Sequence, residues 1–212
     1  MSVDPSADRD AVLPRRPAAT GAVGGILLAA GASRRMGRTK QLLPVDGVPM
    51  VRRAAMVLRD AGCAPLVVVT GHDADAVEAA LDGLDVITVR VADPTAPTSA
   101  SLHAGLRALG PDVASAAVLL ADMVHVTAPM VRTLLDADAG GAAPLQVSRY
   151  GDVPAPPLLF RRVLWPELLA WTGEGCGKAV VRAHFAEAGV HDWPVEALRD
   201  IDTPDDYAEL IG

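Results

Sequence analysis

Apolar runs of strand length alternate with amphipathic stretches of helical period along most of this chain, and that alternation limits the folds open to it. The runs fall at residues 26–30, 66–70, 86–91 and 117–121; the stretches between them fall at 50–61, 74–81 and 102–109. Near-continuous Val, Leu, Ile and Ala in the runs suits strands covered on both faces. Strands separated by helices at this spacing predict an α/β fold with a mostly parallel central sheet between helices. Crossovers in such a sheet are right-handed, and ligands gather beyond the carboxyl ends of its strands.

Past a further helix expected at 128–136, the alternation loosens. Pro154, Pro156 and Pro157 precede a short apolar run at 158–160. A helix over 163–171, a glycine segment at 173–177 and another helix reaching 188 follow. The closing Asp200-Ile201-Asp202-Thr203-Pro204-Asp205-Asp206 predicts a terminal helix starting at Pro204. Thr203 is its cap, and acidic residues sit in its first turn, where the helix dipole favours them.

With 212 residues, the chain suits one domain, here residues 23–212. Half the residues are hydrophobic but only 3% are aromatic, so the core must be built from Ala, Val and Leu. Residues 1–22 carry charges and prolines without an apolar stretch, which predicts a disordered tail rather than a secretory signal. No apolar run approaches the roughly 20 residues that cross a bilayer, so no membrane partner is expected. The formal net charge of −7 argues against generic nucleic-acid binding. Two cysteines, Cys63 and Cys176, point to a reducing cytoplasm and leave no cysteine metal cluster.

The functional signal lies at residues 26–43, ILLAAGASRRMGRTKQLL. An apolar strand ends at Gly31, then Ser33, three arginines, Gly37 and Lys40 precede the next apolar residues. Glycines let backbone N–H groups cluster while the cations neutralise an anion, so such a loop suits a polyphosphate. A solvated charged turn would show the same local pattern. Of the 19 basic residues, only Lys40 and Lys178 are lysine, and both fall in glycine-containing segments. Lysine offers a phosphate a compact point charge where arginine offers a planar fork. The spacing matches neither the P-loop nor the dinucleotide-binding fingerprint.

Asp122 directly follows the run at 117–121, which puts a carboxylate at the carboxyl end of a central strand. Mg²⁺ takes one or two carboxylates together with phosphate oxygens, so Asp122 suits a metal as well as a turn cap. Asp200 and Asp202 could complete that site if the C-terminal segment returns to the same edge; capping explains them equally well. His125 stands three residues beyond Asp122, and His72, His103, His184 and His191 show no ligand or triad spacing. Ser33 lacks a nucleophile elbow. Cys176 reads as a small buried hydrophobe. Together these residues suggest phosphoryl or nucleotidyl transfer.

The segment Leu28-Ala29-Ala30-Gly31-Ala32-Ser33-Arg34-Arg35-Met36-Gly37-Arg38-Thr39-Lys40 resembles the signature of the molybdenum-cofactor nucleotidyltransferase family, L-A-[AG]-G-x-S-x-R-M-G-x-x-K. The segment at 69–71, Ala121-Asp122-Met123 and the closing 200–206 stretch agree in order. The resemblance spans residues 24–211. It implies a three-layer, Rossmann-like nucleotidyltransferase fold that moves a nucleoside monophosphate from an NTP to the phosphate of molybdopterin, releasing pyrophosphate. Leu28, Ala29, Ala30, Gly31, Ser33, Arg35, Gly37, Lys40 and Gly71 would bind the nucleotide. Arg35 and Lys40 would also stabilise charge during attack, and Asp122 would hold Mg²⁺ with Asp202 or Asp200. Ala30, where the guanylyl branch more often has glycine, points to CTP. A molybdenum hydroxylase would receive the product.

The acceptor half departs from the pattern. Ala155-Pro156-Pro157 replaces G-H-P, and Gly173-Glu174-Gly175-Cys176-Gly177-Lys178 replaces G-D-x-G-A-R. Val124 stands where a proline is usual, and the segment 93–98 lacks its glycine. Lys178 is the acceptor-side candidate. Three readings follow: a molybdopterin cytidylyltransferase, a nucleotidyltransferase for a sugar phosphate or phospho-alcohol, and a non-catalytic cofactor-delivery protein.

Overall fold

The computed structural model describes residues 21–33, 35–93 and 95–211. The tail expected over 1–22 lies outside the described residues except for Gly21 and Ala22, and Ala22 already opens the first strand. The elements are β1 (Ala22–Ala29), a small hairpin of β2 (Pro44–Val45) and β3 (Val48–Pro49), α1 (Met50–Ala61), β4 (Leu66–Thr70), α2 (Ala74–Ala79) and β5 (Ile87–Arg90). They continue with α3 (Thr98–Ala108), β6 (Val113–Leu120), α4 (Ala128–Gly140), β7 (Leu145–Tyr150), β8 (Val153–Arg161), α5 (Trp165–Ala170), α6 (Cys176–His184), β9 (Gly189–Trp193) and α7 (Pro204–Ile211).

Seven strands form one sheet in the order β5-β4-β1-β6-β8-β7-β9. Pairing is parallel from β5 through β6 and again between β7 and β9, and β8 alone runs against its neighbours. Strand β1 lies in the middle, Ile26 facing Val67 on one side and Val118 on the other. Successive strand residues point to opposite faces, so Leu27 and Ala29 join one core while Ile26 and Ala30 join the other. The first core lies under α1, α2 and α4; the second lies under α3, α5 and α6. This is the expected α/β sandwich of helix, sheet and helix.

Helix α1 shows how the pattern makes the element. Met50, Val51, Ala54, Ala55, Leu58 and Ala61 are buried, a stripe at helical spacing. Gly62 stops the helix at φ +99°, a conformation glycine adopts without a Cβ penalty, and its N–H bonds to Arg59 O. Across the sheet, α3 rides so close to β1 that a Cβ on Gly105 would lie 2.6 Å from Ile26 Cγ2. Only glycine fits there.

The sequence expectations for residues 141–193 needed correction. Strands β7 and β9 had not been expected, and the run at 158–160 is the end of a longer strand, β8. Its Pro156 and Pro157 fall where the pairing with β7 shifts register, so their missing N–H groups cost no ladder bond. The helix expected over 163–171 divides into a 3₁₀ turn at Arg162–Leu164 and α5. The one expected to reach 188 ends as α6 followed by a 3₁₀ turn at Phe185–Glu187. Terminal α7 does start at Pro204, and Thr203 Oγ1 accepts the Asp206 N–H at 3.2 Å. Among the described residues, no helix is long and apolar enough to cross a membrane.

A third, smaller core matters most for the site. Ile201 and Tyr207 pack with Met36, Leu43, Val45 and Met50, and Tyr207 Oη donates to Pro44 O at 2.7 Å. Burying an Ile or Tyr of this size is worth about 2 kcal/mol. The C-terminal segment is thereby fastened onto the loop that follows β1.

Candidate active site

Strands β1 and β6 are parallel neighbours, with Leu28 opposite Leu120, so the residues just beyond them emerge on one edge of the sheet. Ala29 is buried and Leu28 O accepts the Ala121 N–H, so the strand end contributes backbone rather than side chains. The loop turns through Ser33 at φ +49° and Gly37 at φ +64°. Ser33 is its hub. Its Oγ accepts the Lys40 N–H at 3.0 Å and donates to Gln41 Oε1 at 3.1 Å. Gln41 Nε2 in turn donates to Gly31 O at 2.8 Å. Gln41 is buried, so one polar side chain holds the two ends of the loop together.

Three chain segments meet at Lys40. Its Nζ donates to Asp202 Oδ1 at 2.9 Å and, in a shorter contact, to Asp122 Oδ2. Arg35 Nη2 donates to the second oxygen of Asp202 at 2.6 Å. The Lys40 and Asp122 side chains are 13% and 16% exposed, while Arg35 is 71% exposed. The lysine is therefore largely shielded from water and the arginine largely exposed to it. Burial disfavours the charged Lys40, but Asp122 and Asp202 outweigh it and hold the ammonium above its usual pKa. The Lys40 hydrogen bond, against some desolvation, keeps Asp202 below the usual carboxylate range, and the charges of Lys40 and Arg35 add to this.

Asp200 behaves differently. The residue is exposed, yet desolvation of its carboxyl followed by the charges of Asp122 and Asp202 pushes it up to about 6, with Lys40 and Lys178 opposing. Lys178, in the first turn of α6, is thus close enough for Asp200 to feel its charge. Next to it, Glu174 Oε2 accepts the Thr98 N–H at 3.4 Å, which ties the 173–178 segment to the start of α3.

On the other side of the loop, a cleft of about 580 Å³ opens toward the end of β4. Ser33, Gly37, Arg38 and Thr39 line it opposite His72 and Asp73. Gly71 forms a bridge with Asp73, which accepts a short hydrogen bond from Thr39 Oγ1. The size suits a small molecule. Arg35, Lys40, Asp122 and Asp202 do not line this cleft, so the cavity and the charged cluster flank the loop.

The expected residues Gly31, Ser33, Arg35, Gly37, Lys40, Asp122, Asp200, Asp202 and Lys178 come together along this edge. Arg34 lies outside the described residues. Sequence reading missed Gln41, Thr39 and Asp73, whose partners are found only after folding. His72 had been set aside and lines the cleft, its Nε2 3.6 Å from Asp73 Oδ2. Cys176 is buried, with its thiol raised by burial and donating to Leu168 O at 3.3 Å, as a structural cysteine would be. Burial pushes Cys63 up to about 12.

A doubly covered sheet with a cationic loop and carboxylates on its carboxyl edge suits a nucleotide-binding protein. The chain belongs to the MobA-like NTP transferase domain family, whose model matches residues 25–188. It is 32% identical over 144 residues to bifunctional protein GlmU of Sphingopyxis alaskensis, covering 67% of this chain and 31% of that protein. The match thus spans about a third of that relative's length. A probable molybdenum cofactor guanylyltransferase of Opitutus terrae is 48% identical over 48 residues, 23% of this chain and 24% of its own. Among solved structures, Rv0371c of Mycobacterium tuberculosis superposes with a TM-score of 0.81 at 29% identity, covering 91% of this chain and 99% of the other. The same protein has been solved in complex with manganese.

Proposed function

We propose that this nucleotidyltransferase moves CMP from CTP to the phosphate of molybdopterin. An oxygen of the acceptor phosphate attacks the α-phosphorus of CTP, the bond to the β-phosphate oxygen breaks, and pyrophosphate leaves. The observation that carries this reading is the convergence of Lys40, Asp122 and Asp202 beside the β1 loop. Two carboxylates that already grip one cation suit a hard divalent ion, which takes such carboxylates with phosphate oxygens. Asp122 and Asp202 would hold Mg²⁺, with Asp200 at their side, and the metal would neutralise phosphate charge.

The chain's own residues do the rest. Lys40, kept protonated by its surroundings, and the exposed Arg35 bind the triphosphate and meet the charge that builds as pyrophosphate departs. Ser33 and Gln41 hold the loop in the shape that presents its backbone N–H groups, between Gly31 and Gly37. Leu28, Ala29, Ala30 and Gly71 frame the nucleotide through the strand ends, and Ala30 supports cytidine by the family pattern. Lys178 faces the acceptor. A molybdenum hydroxylase would be the recipient, in the cytoplasm.

The test is pyrophosphate release with CTP, Mg²⁺ and reduced molybdopterin. Turnover with CTP above GTP and ATP supports the reading. No NTP consumption, together with unchanged CTP affinity in Lys40→Ala, sinks it. A second reading keeps the nucleotidyl transfer and replaces the acceptor with a sugar phosphate or phospho-alcohol. It is favoured by the departures from the family pattern at 155–157 and 173–178, where Pro156 and Pro157 interrupt the β8 pairing and Glu174 accepts the Thr98 N–H. Running these acceptors in parallel separates the two.

A further inference from the structure

Lys40 occupies the position between two carboxylates that a divalent cation would take. Its ammonium donates to Asp122 and to Asp202 together, and Arg35 takes the remaining oxygen of Asp202. The two carboxylates are therefore already neutralised by two cations of the same chain. We propose that Lys40 is a placeholder cation, so that the carboxylate pair binds metal weakly by itself and admits it together with the nucleotide. This rests on the metal and nucleotide roles proposed above.

The physical reason is charge balance. A divalent ion entering the cluster alone meets the ammonium of Lys40 at close range, and like charges repel strongly where side chains are largely shielded from water. Displacing Lys40 leaves that ammonium without a partner, which is costly for a largely buried charge. A triphosphate removes both penalties: it offers anionic oxygens to Lys40 and Arg35 just as the metal takes over Asp122 and Asp202. The loop geometry permits the transfer. The backbone of Lys40 stays fixed through Ser33 Oγ, while four methylenes let the ammonium swing between carboxylate and phosphate. Arg35, exposed and held through its tip to Asp202, reaches a phosphate from the surface. Each ligand thus raises the affinity of the other, and the coupling is reciprocal.

The experiment measures Mn²⁺ binding to the full chain without nucleotide at neutral pH, by the electron paramagnetic resonance of free Mn²⁺. Lys40→Met removes the placeholder and exposes two unpaired carboxylates, so it is expected to bind Mn²⁺ about tenfold tighter than the parent. Lys40→Arg keeps a cation there and is expected to stay as weak as the parent. If Lys40→Met does not fold, Arg35→Gln frees one oxygen of Asp202 and is expected to tighten Mn²⁺ binding to a smaller degree. Asp122→Asn should abolish binding in every background. Lys40→Met binding Mn²⁺ no tighter than the parent, with Asp122→Asn still abolishing it, overturns the placeholder and leaves the metal site standing. Mn²⁺ binding indifferent to Asp122→Asn overturns both.

Discussion

Two segments of this molecule look alike in composition and differ in what the fold makes of them. Residues 31–40 and 173–178 each combine glycines with one of the chain's two lysines, and both lie on the ligand edge of the sheet. The first is held at several points. Gln41 and Ser33 tie its ends, a third small core packs beneath it, and Lys40 is bonded to carboxylates from two distant parts of the chain. The second is anchored away from the site, by Cys176 in the second core and by the Trp171 indole on Glu174 O. It meets the site through a long hydrogen bond from Thr98 and the charge of Lys178 felt by Asp200. Preorganised charge is worth most where it cannot relax, so in the reaction proposed above the first segment would serve catalysis and the second selection.

Removing the metal-side carboxylate should have the largest effect. Asp122→Asn or Lys40→Ala is expected to cut kcat/KM for CTP by about 10³-fold, the scale on which preorganised charges act. Steady-state pyrophosphate release measures it. A loss under tenfold in both would mean that the donor half is not where the chemistry occurs.

The fastening of the donor loop comes next. Ile201→Ala empties part of the third core and is expected to cost about 3 kcal/mol of stability, read by urea denaturation. Trp171→Ala on the acceptor side removes a partly exposed ring and should cost clearly less. Equal costs would erase the contrast between the two segments.

A smaller effect separates the two lysines. Lys178→Ala is expected to raise KM for the acceptor about tenfold and leave KM for CTP unchanged. A rise in KM for CTP would place Lys178 in the donor half instead.

The smallest effect is on the pH dependence of stability without metal. Desolvation and the charges of Asp122 and Asp202 push Asp200 up to about 6 from an ordinary 3.8, so the native state holds its proton longer than the unfolded one. Its contribution is full below the ordinary value and is lost as pH rises through the folded one. Asp200→Asn should flatten that decline between these values and leave stability below them unchanged. Thermal melts across the series check the sign; a steeper decline would refute it.

Much of the donor half was legible in the chain. Helix α1 spans the residues its apolar stripe marks, and the β1 loop and Asp122 fall on one edge because parallel strands end together. Strands β7 and β9 were not legible. Strand β7 buries Gln146 and Ser148, and polar residues in a short run read as loop until a partner is found. Gln146 Oε1 meets His191 Nε2 at 3.0 Å on β9, 45 residues away. Gln41, Thr39 and Asp73 escaped notice for the same reason, since each depends on a contact that no local pattern encodes.

By itself, the sequence determined the alternation of strands and helices, the cationic loop and the family to which the chain belongs. Periodicity and turn chemistry are local properties, and local properties survive in a string of letters. Only the tertiary structure decided that Asp202 closes on the loop from the far end of the chain. The third core holds it there by burying Ile201 and Tyr207, and Lys40 then lies between two carboxylates 80 residues apart in sequence. Long-range burial sets that geometry, and the chemistry proposed for the site depends on it.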